Sequence, residues 1–317
     1  LKDYDKAKQM YEKALELDQN DVTTYNNYGA LLQNLKDYDK AKQMYEKALE
    51  LDQNDVTTYN NYGALLAVLK DYDKAKQMFE KAIKLDPAVS TAYNNYGALL
   101  QNLKDYDKAK QMCEKALELD QNDSGIYNNY GNVLSSLKDY DKAKQMYEKA
   151  LELDPEDGYT YDSYAVLLSK LGNYDKAKQM FEKSIVYVND EYRHYNNYGV
   201  MLSELKDYDK AKQMYEKALE LEKDSTVYLN LGEVFSIRGE YDKAKQMYEK
   251  ALELDPDNSH VNLYYGKVLK LQNDFENAEY YIKKALELDM DCMEACFELG
   301  AVLNLQKKGS ELDRYLG

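Results

Sequence analysis

The sequence contains no tryptophan, 3 prolines, 3 cysteines and 2 histidines in 317 residues. Each scarcity excludes something. Three cysteines, Cys113, Cys292 and Cys296, are an odd number in a long chain. They make no disulfide framework and point to a reducing, cytoplasmic compartment. Cys292 and Cys296 lack the further ligands that a zinc site needs. His194 and His260 lie far apart in the sequence, so no Ser-His-Asp or Cys-His set can be assembled around them. No run of 18 apolar residues occurs, so no helical membrane span is expected. No signal peptide is visible. The chain starts in mid-pattern without an initiator methionine and reads as a piece of something longer. Asn122-Asp123-Ser124 would accept an N-glycan only in a secreted protein.

Net charge is −16, from 42 basic and 58 acidic side chains. The excess is dispersed. The stretch from Val22 to Asp55 carries six acidic and four basic residues, and eight such stretches account for the whole imbalance. A dispersed negative charge argues against a nucleic-acid partner. Neither a membrane nor a cofactor is expected as a partner, and no enzyme is expected within these residues.

What is abundant is repetition and tyrosine. The first 34 residues and the next 34 differ only at Gln33/Ala67 and Asn34/Val68. Gly29, Gly63, Gly97 and Gly131 stand 34 apart, Ala165 takes the next place, and Gly199, Gly232, Gly266 and Gly300 continue after one deletion. With Val22 as position 1, full repeats run 22–55, 56–89, 90–123, 124–157, 158–191, 192–224, 225–258 and 259–292. Residues 1–21 form a half repeat, and 293–317 form a terminal helix and cap, with Ser310 opening a short helix. A fixed period of this length signals a stacked repeat architecture.

Each repeat contains two helical patterns. Tyr25, Tyr28, Gly29, Leu32 and Leu35 share one face, and Tyr38, Ala41, Tyr45, Ala48 and Leu49 share another. Asp37 is placed to cap the second helix. Pro87, Pro155 and Pro256 all fall at position 32, in the polar turn before the next repeat, where proline breaks no helix. Glycine inside a helix costs about 1 kcal/mol against alanine, so its recurrence at position 8 implies a close approach. Cys113 stands where other repeats have tyrosine or another bulky residue, a core position. The methionine column at Met44, Met78 and Met112 reads as packing filler, and the KDYDKAKQMYEK face as a solvated helix surface.

These features resemble the tetratricopeptide repeat family. The family pattern is met by Tyr25-x2-Tyr28-Gly29-x2-Leu32, then Ala41-x3-Tyr45, with proline at position 32 in three repeats. Tyrosine replaces the family's first tryptophan and usually its leucine at position 7. The resemblance covers about 300 residues and implies an all-α, right-handed superhelix, an α-solenoid of antiparallel helix pairs. First helices would line a concave groove, with positions 2, 5, 6, 9, 12 and 13 facing it. A single array over 1–317 is expected.

On that geometry, position 6 presents Asn27, Asn61, Asn95, Asn129, Asn197 and Asn230, with asparagine also recurrent at position 5. Such a column resembles the asparagine ladder of O-linked N-acetylglucosamine transferase and the groove of kinesin light chains. It could hold a peptide backbone, since asparagine both donates and accepts, or it could simply solvate the helix. The last repeats present Leu229, Ile237, Leu263 and Leu271 with Glu233, Lys267 and Lys270, a better set of binding anchors. A carboxylate clamp for chaperone tails would need more groove cations than Arg193, Lys267 and Lys270.

The expected function is a protein-interaction scaffold holding an extended peptide or partner helix. Two alternatives remain, a head-to-tail self-assembling array and the adaptor arm of a larger enzyme such as a glycosyltransferase. Near identity of the repeats fits a recent tandem expansion, since stacking alone requires only the pattern.

Overall fold

The computed structural model describes residues 4–306. Among them it contains eighteen α-helices and no strand. The chain divides into two compact units, Leu1–Glu156 and Asp157–Gly317. The first holds α1 (Tyr4–Leu17), α2 (Val22–Asn34), α3 (Tyr38–Leu51), α4 (Val56–Val68), α5 (Tyr72–Leu85), α6 (Ser90–Asn102), α7 (Tyr106–Leu119), α8 (Ser124–Ser136) and α9 (Tyr140–Leu153). The second holds α10 (Gly158–Lys170), α11 (Tyr174–Tyr187), α12 (Tyr192–Glu204), α13 (Tyr208–Leu221), α14 (Ser225–Ile237), α15 (Tyr241–Leu254), α16 (Ser259–Leu271), α17 (Phe275–Leu288) and α18 (Met293–Leu305). The cap expected over 307–317 lies outside the described residues.

The turn between the helices of a pair is a Schellman motif. After α2 the Asp37 N–H donates to the Leu32 carbonyl at 2.9 Å and the Lys36 N–H to the Gln33 carbonyl at 3.0 Å. This satisfies carbonyls that the helix end would otherwise orphan. Position 15 must then be left-handed. Gly172 and Gly239 take it freely, but Lys36, Lys70, Lys104, Lys138 and Lys206 also hold it at φ of 60–64°. Asp37 does stand at the N-cap of α3, yet its carboxylate makes no cap bond. It pairs instead with Lys40 at 3.0 Å. Its equivalents Asp71, Asp207 and Asp274 do accept a first-turn N–H, at 3.4 Å, and the shorter caps precede first helices, as where Asp55 accepts from the Thr58 N–H at 2.9 Å.

Within each unit, helices of one pair pack antiparallel, and successive first helices also touch one another, as α2 with α4 and α14 with α16. Successive second helices make no comparable contact. The first helices are therefore the inner layer of each stack. Alanines at positions 20 and 27, such as Ala75 and Ala82, are 0% exposed and let the second helix lie close.

The glycine of position 8 faces the position 24 side chain of its own repeat, a ring except where Gly97 meets Cys113 and Gly266 meets Ile282. A Cβ on Gly29 would sit 2.8 Å from Tyr45 Cε1, and one on Gly131 would sit 2.6 Å from Tyr147 Cε1. The close approach is thus made by an aromatic ring crossing the first helix. That ring also stacks on position 7 of the next repeat, with centroids 5.9 Å apart for Tyr45 and Tyr62 and 6.0 Å for Phe79 and Tyr96. Offset aromatic pairs of this kind stabilise beyond their buried area.

Tyrosine at position 7 has a further partner. Its hydroxyl donates to the position 25 glutamate of the preceding repeat: Tyr28 to Glu12, Tyr62 to Glu46, Tyr96 to Glu80, Tyr130 to Glu114 and Tyr265 to Glu249, all at 2.8–2.9 Å. Leucine, which the family usually has here, could not make this bond.

Candidate functional site

The inner face of each unit is built from first-helix side chains. Position 6 of one repeat donates to position 5 of the repeat before it. Asn61 Nδ2 reaches Asn26 Oδ1 at 3.2 Å, Asn95 reaches Asn60 at 3.0 Å, and Asn129 reaches Asn94 at 2.9 Å. In the second unit Asn197 reaches Asp162 at 2.8 Å and Asn230 reaches Asn196 at 2.9 Å. The asparagine column is therefore a ladder bonded to itself. Each position 6 amide keeps its oxygen and one N–H for another partner.

Position 5 lines the surface only in part, with Asn94, Asn128 and Asn196 half-buried. Asn26 and Asn60 are buried because the next first helix covers them. Leu263 is only 2% exposed and belongs to the core, while Leu229 is half-buried. Asn27 is exposed. Lys267 pairs with Glu294 at 2.6 Å and Lys270 pairs with Glu298, so both groove cations are committed within the stack. The glutamates of α18 gave no sign of this in the sequence.

Two cavities open on the inner face of the second unit. One, of about 220 Å³, lies between α10 and α12, with Val166, Val200, Met201 and Asn197 in its walls and Phe181 at its floor. The other, of about 250 Å³, lies between α14 and α16, lined by Glu233, Ile237, Tyr264, Lys267 and Leu271 over Tyr248. Val166, Val200, Ile237 and Leu271 are exposed. Both floors are position 24 side chains, brought to the inner face by the crossing past position 8.

The polar end of these rings is usually satisfied at the groove. Tyr147 donates to Asn132 Oδ1 at 2.8 Å, and Tyr215 meets Ser203 Oγ at 3.3 Å. Tyr248, by contrast, is 0% exposed and its hydroxyl has no partner. Above it, burial raises the Glu233 carboxyl, opposed by a hydrogen bond from Tyr264 and the charge of Lys267. Burial and Glu233 together push the Tyr264 hydroxyl up to about 12. Lys267 Nζ stands 4.5 Å from the Tyr264 ring centroid, a cation–π distance.

Near the first cavity, Asp162 replaces asparagine in the ladder. Its Oδ1 is enclosed and without a partner. Burial pushes this carboxyl up to about 7, against the hydrogen bond from Asn197.

Elsewhere Ser184 Oγ lies 2.8 Å from His194 Nδ1. Ser184 is 0% exposed and His194 2%, so no substrate can reach the pair. Serine here replaces the usual position 27 alanine and satisfies a buried imidazole, whose pKa burial lowers. Among the described residues no group of three His, Cys, Asp or Glu side chains could hold a metal ion, and no helix is long and apolar enough to cross a membrane. Cys113 is fully buried, and burial pushes its thiol up to about 12.

The fold recurs in solved structures. The chain is similar to the Cut9–Hcn1 hetero-tetramer of the APC/C (TM-score 0.74, 17% identity), covering 94% of this chain and 59% of that one. It is also similar to PilF of Pseudomonas aeruginosa (0.56, 23% identity), over 61% of this chain and 88% of that one. Yeast Tom70 (0.55, 18% identity) matches over 99% of this chain and 93% of that one. The chain thus spans 59% of the Cut9–Hcn1 chain that it matches. At these identities the likeness is one of fold. No curated protein matches the sequence significantly. Tetratricopeptide repeat models match residues 1–21, 20–88, 88–156, 122–185, 190–257 and 224–291. With the helix pairs, the ring crossing and the inner asparagine ladder in place, the chain belongs to the tetratricopeptide repeat family.

Proposed function

We propose that this chain is a protein-interaction scaffold that holds an extended peptide on the first-helix face of its second unit. The observation that carries the reading is the pair of cavities between α10 and α12 and between α14 and α16. Each is rimmed by exposed aliphatic side chains beside polar and charged groups. Exposed apolar side chains beside convergent polar groups are what a peptide anchor requires. Stacked repeats supply such inner surfaces in general. The remaining amide capacity of Asn197 and Asn230 supports the reading, since it suits a peptide backbone lying along the helices.

The test is selection from a random dodecapeptide display library on the full chain. Enriched peptides should lose binding to Val200→Glu and Ile237→Glu, which alter exposed positions, and keep it with Gln77→Glu on the second-helix layer. An absence of enriched peptides, or indifference to both groove variants, overturns the reading.

A further inference from the structure

The cavity between α14 and α16 differs from its neighbours in charge and in its floor. Of the ionised side chains around it, Lys267 is taken by Glu294 and Lys270 by Glu298. Glu233 has no salt bridge of its own. Its hydrogen bond comes from the neutral Tyr264 hydroxyl. Beneath it the Tyr248 hydroxyl is enclosed and unpartnered, where Tyr147 and Tyr215 meet a groove residue. A half-buried carboxylate that lacks a salt bridge, its nearest cation Lys267 being paired with Glu294, and a buried hydroxyl without a partner both raise the free energy of the empty site.

We infer that this cavity is the anchor pocket for a basic side chain, arginine above all, of the bound peptide. This rests on the groove reading above and names its specificity. A guanidinium carries five donors in a planar fork and no acceptor. One N–H pair meets the Glu233 carboxylate, a charge-assisted bond of the stronger kind. A further N–H meets the Tyr248 oxygen, once Ile237 or Leu271 rotates to uncover it. Both rim residues are more than half exposed and free to turn. The arginine stem then lies against their aliphatic surface, in the way long cationic side chains cover apolar ground. An acidic side chain would meet the Glu233 carboxylate, with Lys267 already engaged by Glu294. Burial raises the Glu233 carboxyl in the empty groove, and an incoming cation opposes that shift.

The experiment is the same dodecapeptide selection, run in parallel on the full chain and on Glu233→Gln, Glu233→Lys and Tyr248→Phe. Circular dichroism and urea midpoints establish that each variant is folded. Peptides selected on the native chain should share one arginine or lysine. Replacing that residue by citrulline or norleucine should weaken binding about tenfold or more. Glu233→Gln should lose a similar factor, Tyr248→Phe about threefold, and Glu233→Lys should select aspartate or glutamate instead. Peptides that depend on Ile237 and Val200 but carry no shared basic residue, or that bind Glu233→Gln unchanged, overturn the basic anchor and leave the groove standing. An absence of any selected peptide overturns both.

Discussion

The Tyr62 hydroxyl donates to the Glu46 carboxylate at 2.8 Å across the boundary between two repeats. It ties the ring that packs against Tyr45 to α3, the second helix of the preceding repeat. Five boundaries share the bond at this length. At another, Tyr198 and Glu182 are 3.5 Å apart. Tyr62→Phe keeps the ring and removes the bond, and should cost about 1 kcal/mol. A double-mutant cycle with Glu46→Ala, which removes the acceptor, should assign most of that cost to the pair. Full additivity of the two single changes would mean that the bond contributes nothing.

The same tyrosines set an alkaline limit. Burial first, then the glutamate bond and its charge, holds Tyr28 up to about 12 and raises the others above the ordinary 10.0. The fold therefore keeps protons that the unfolded chain releases above pH 10, so stability falls as pH rises from there. The share of tyrosinate absorbance that belongs to these position 7 rings should appear only with loss of helicity, as a late steep step. A complete titration centred near pH 10 with helices intact would contradict this.

Lys104 holds φ at 62° in a turn where Gly172 and Gly239 do the same work unstrained. Left-handed backbone is costly for a residue with a Cβ. Lys104→Gly should raise the urea midpoint, by about 0.5–1 kcal/mol after the extra entropy of glycine in the unfolded chain is subtracted. A lowered midpoint would show that the turn is relaxed with lysine in it.

The period, the two helices and the turn were legible because each is written in local residue types. Proline is confined to position 32, where it breaks no helix, and glycine recurs at position 8 inside one, where only a close approach explains it. The inner face was less legible. Glu46 reads as one more solvated charge, and nothing local says that a tyrosine 16 residues later meets it. Position 5 could not be told from position 6, because Asn26 and Asn27 are the same residue and only the next first helix decides which is covered. Tyr248 sits in a segment, YDKAKQMYEKALEL, identical to that around Tyr45 and Tyr147. Its unsatisfied hydroxyl is set by how the neighbouring helices pack and not by its own segment.

That ladder changes what asparagine variants report. Asn61→Ala with Asn95→Ala would leave the oxygens of Asn26 and Asn60 buried without donors. The loss should be about 1–3 kcal/mol at each boundary, seen as a lower urea midpoint before any ligand is added. Changing both partners, as in Asn26→Leu with Asn61→Ala, should recover part of it, since leucine already occupies position 5 at Leu229 and Leu263. An unchanged midpoint in the Asn61/Asn95 variant would show that the ladder bonds are exchanged for water at no cost.

Asp162 carries the same logic into pH. It stands where other repeats place asparagine, and burial raises its carboxyl from 3.8 to about 7. The folded chain thus holds a proton that the unfolded chain gives up above about pH 4. From there stability declines with rising pH, and the decline is complete once pH passes about 7. Asp162→Asn keeps an acceptor for the Asn197 amide and removes the ionisation. It should stabilise the second unit at pH 8 by about 1–4 kcal/mol, with the advantage vanishing near pH 4. Urea midpoints of the two chains across that range measure it directly. Parallel curves would mean that Asp162 ionises freely in the fold. A curve for the native chain that falls between pH 4 and 7, beside a flat one for the variant, would make this residue a buried acid inside an otherwise neutral ladder.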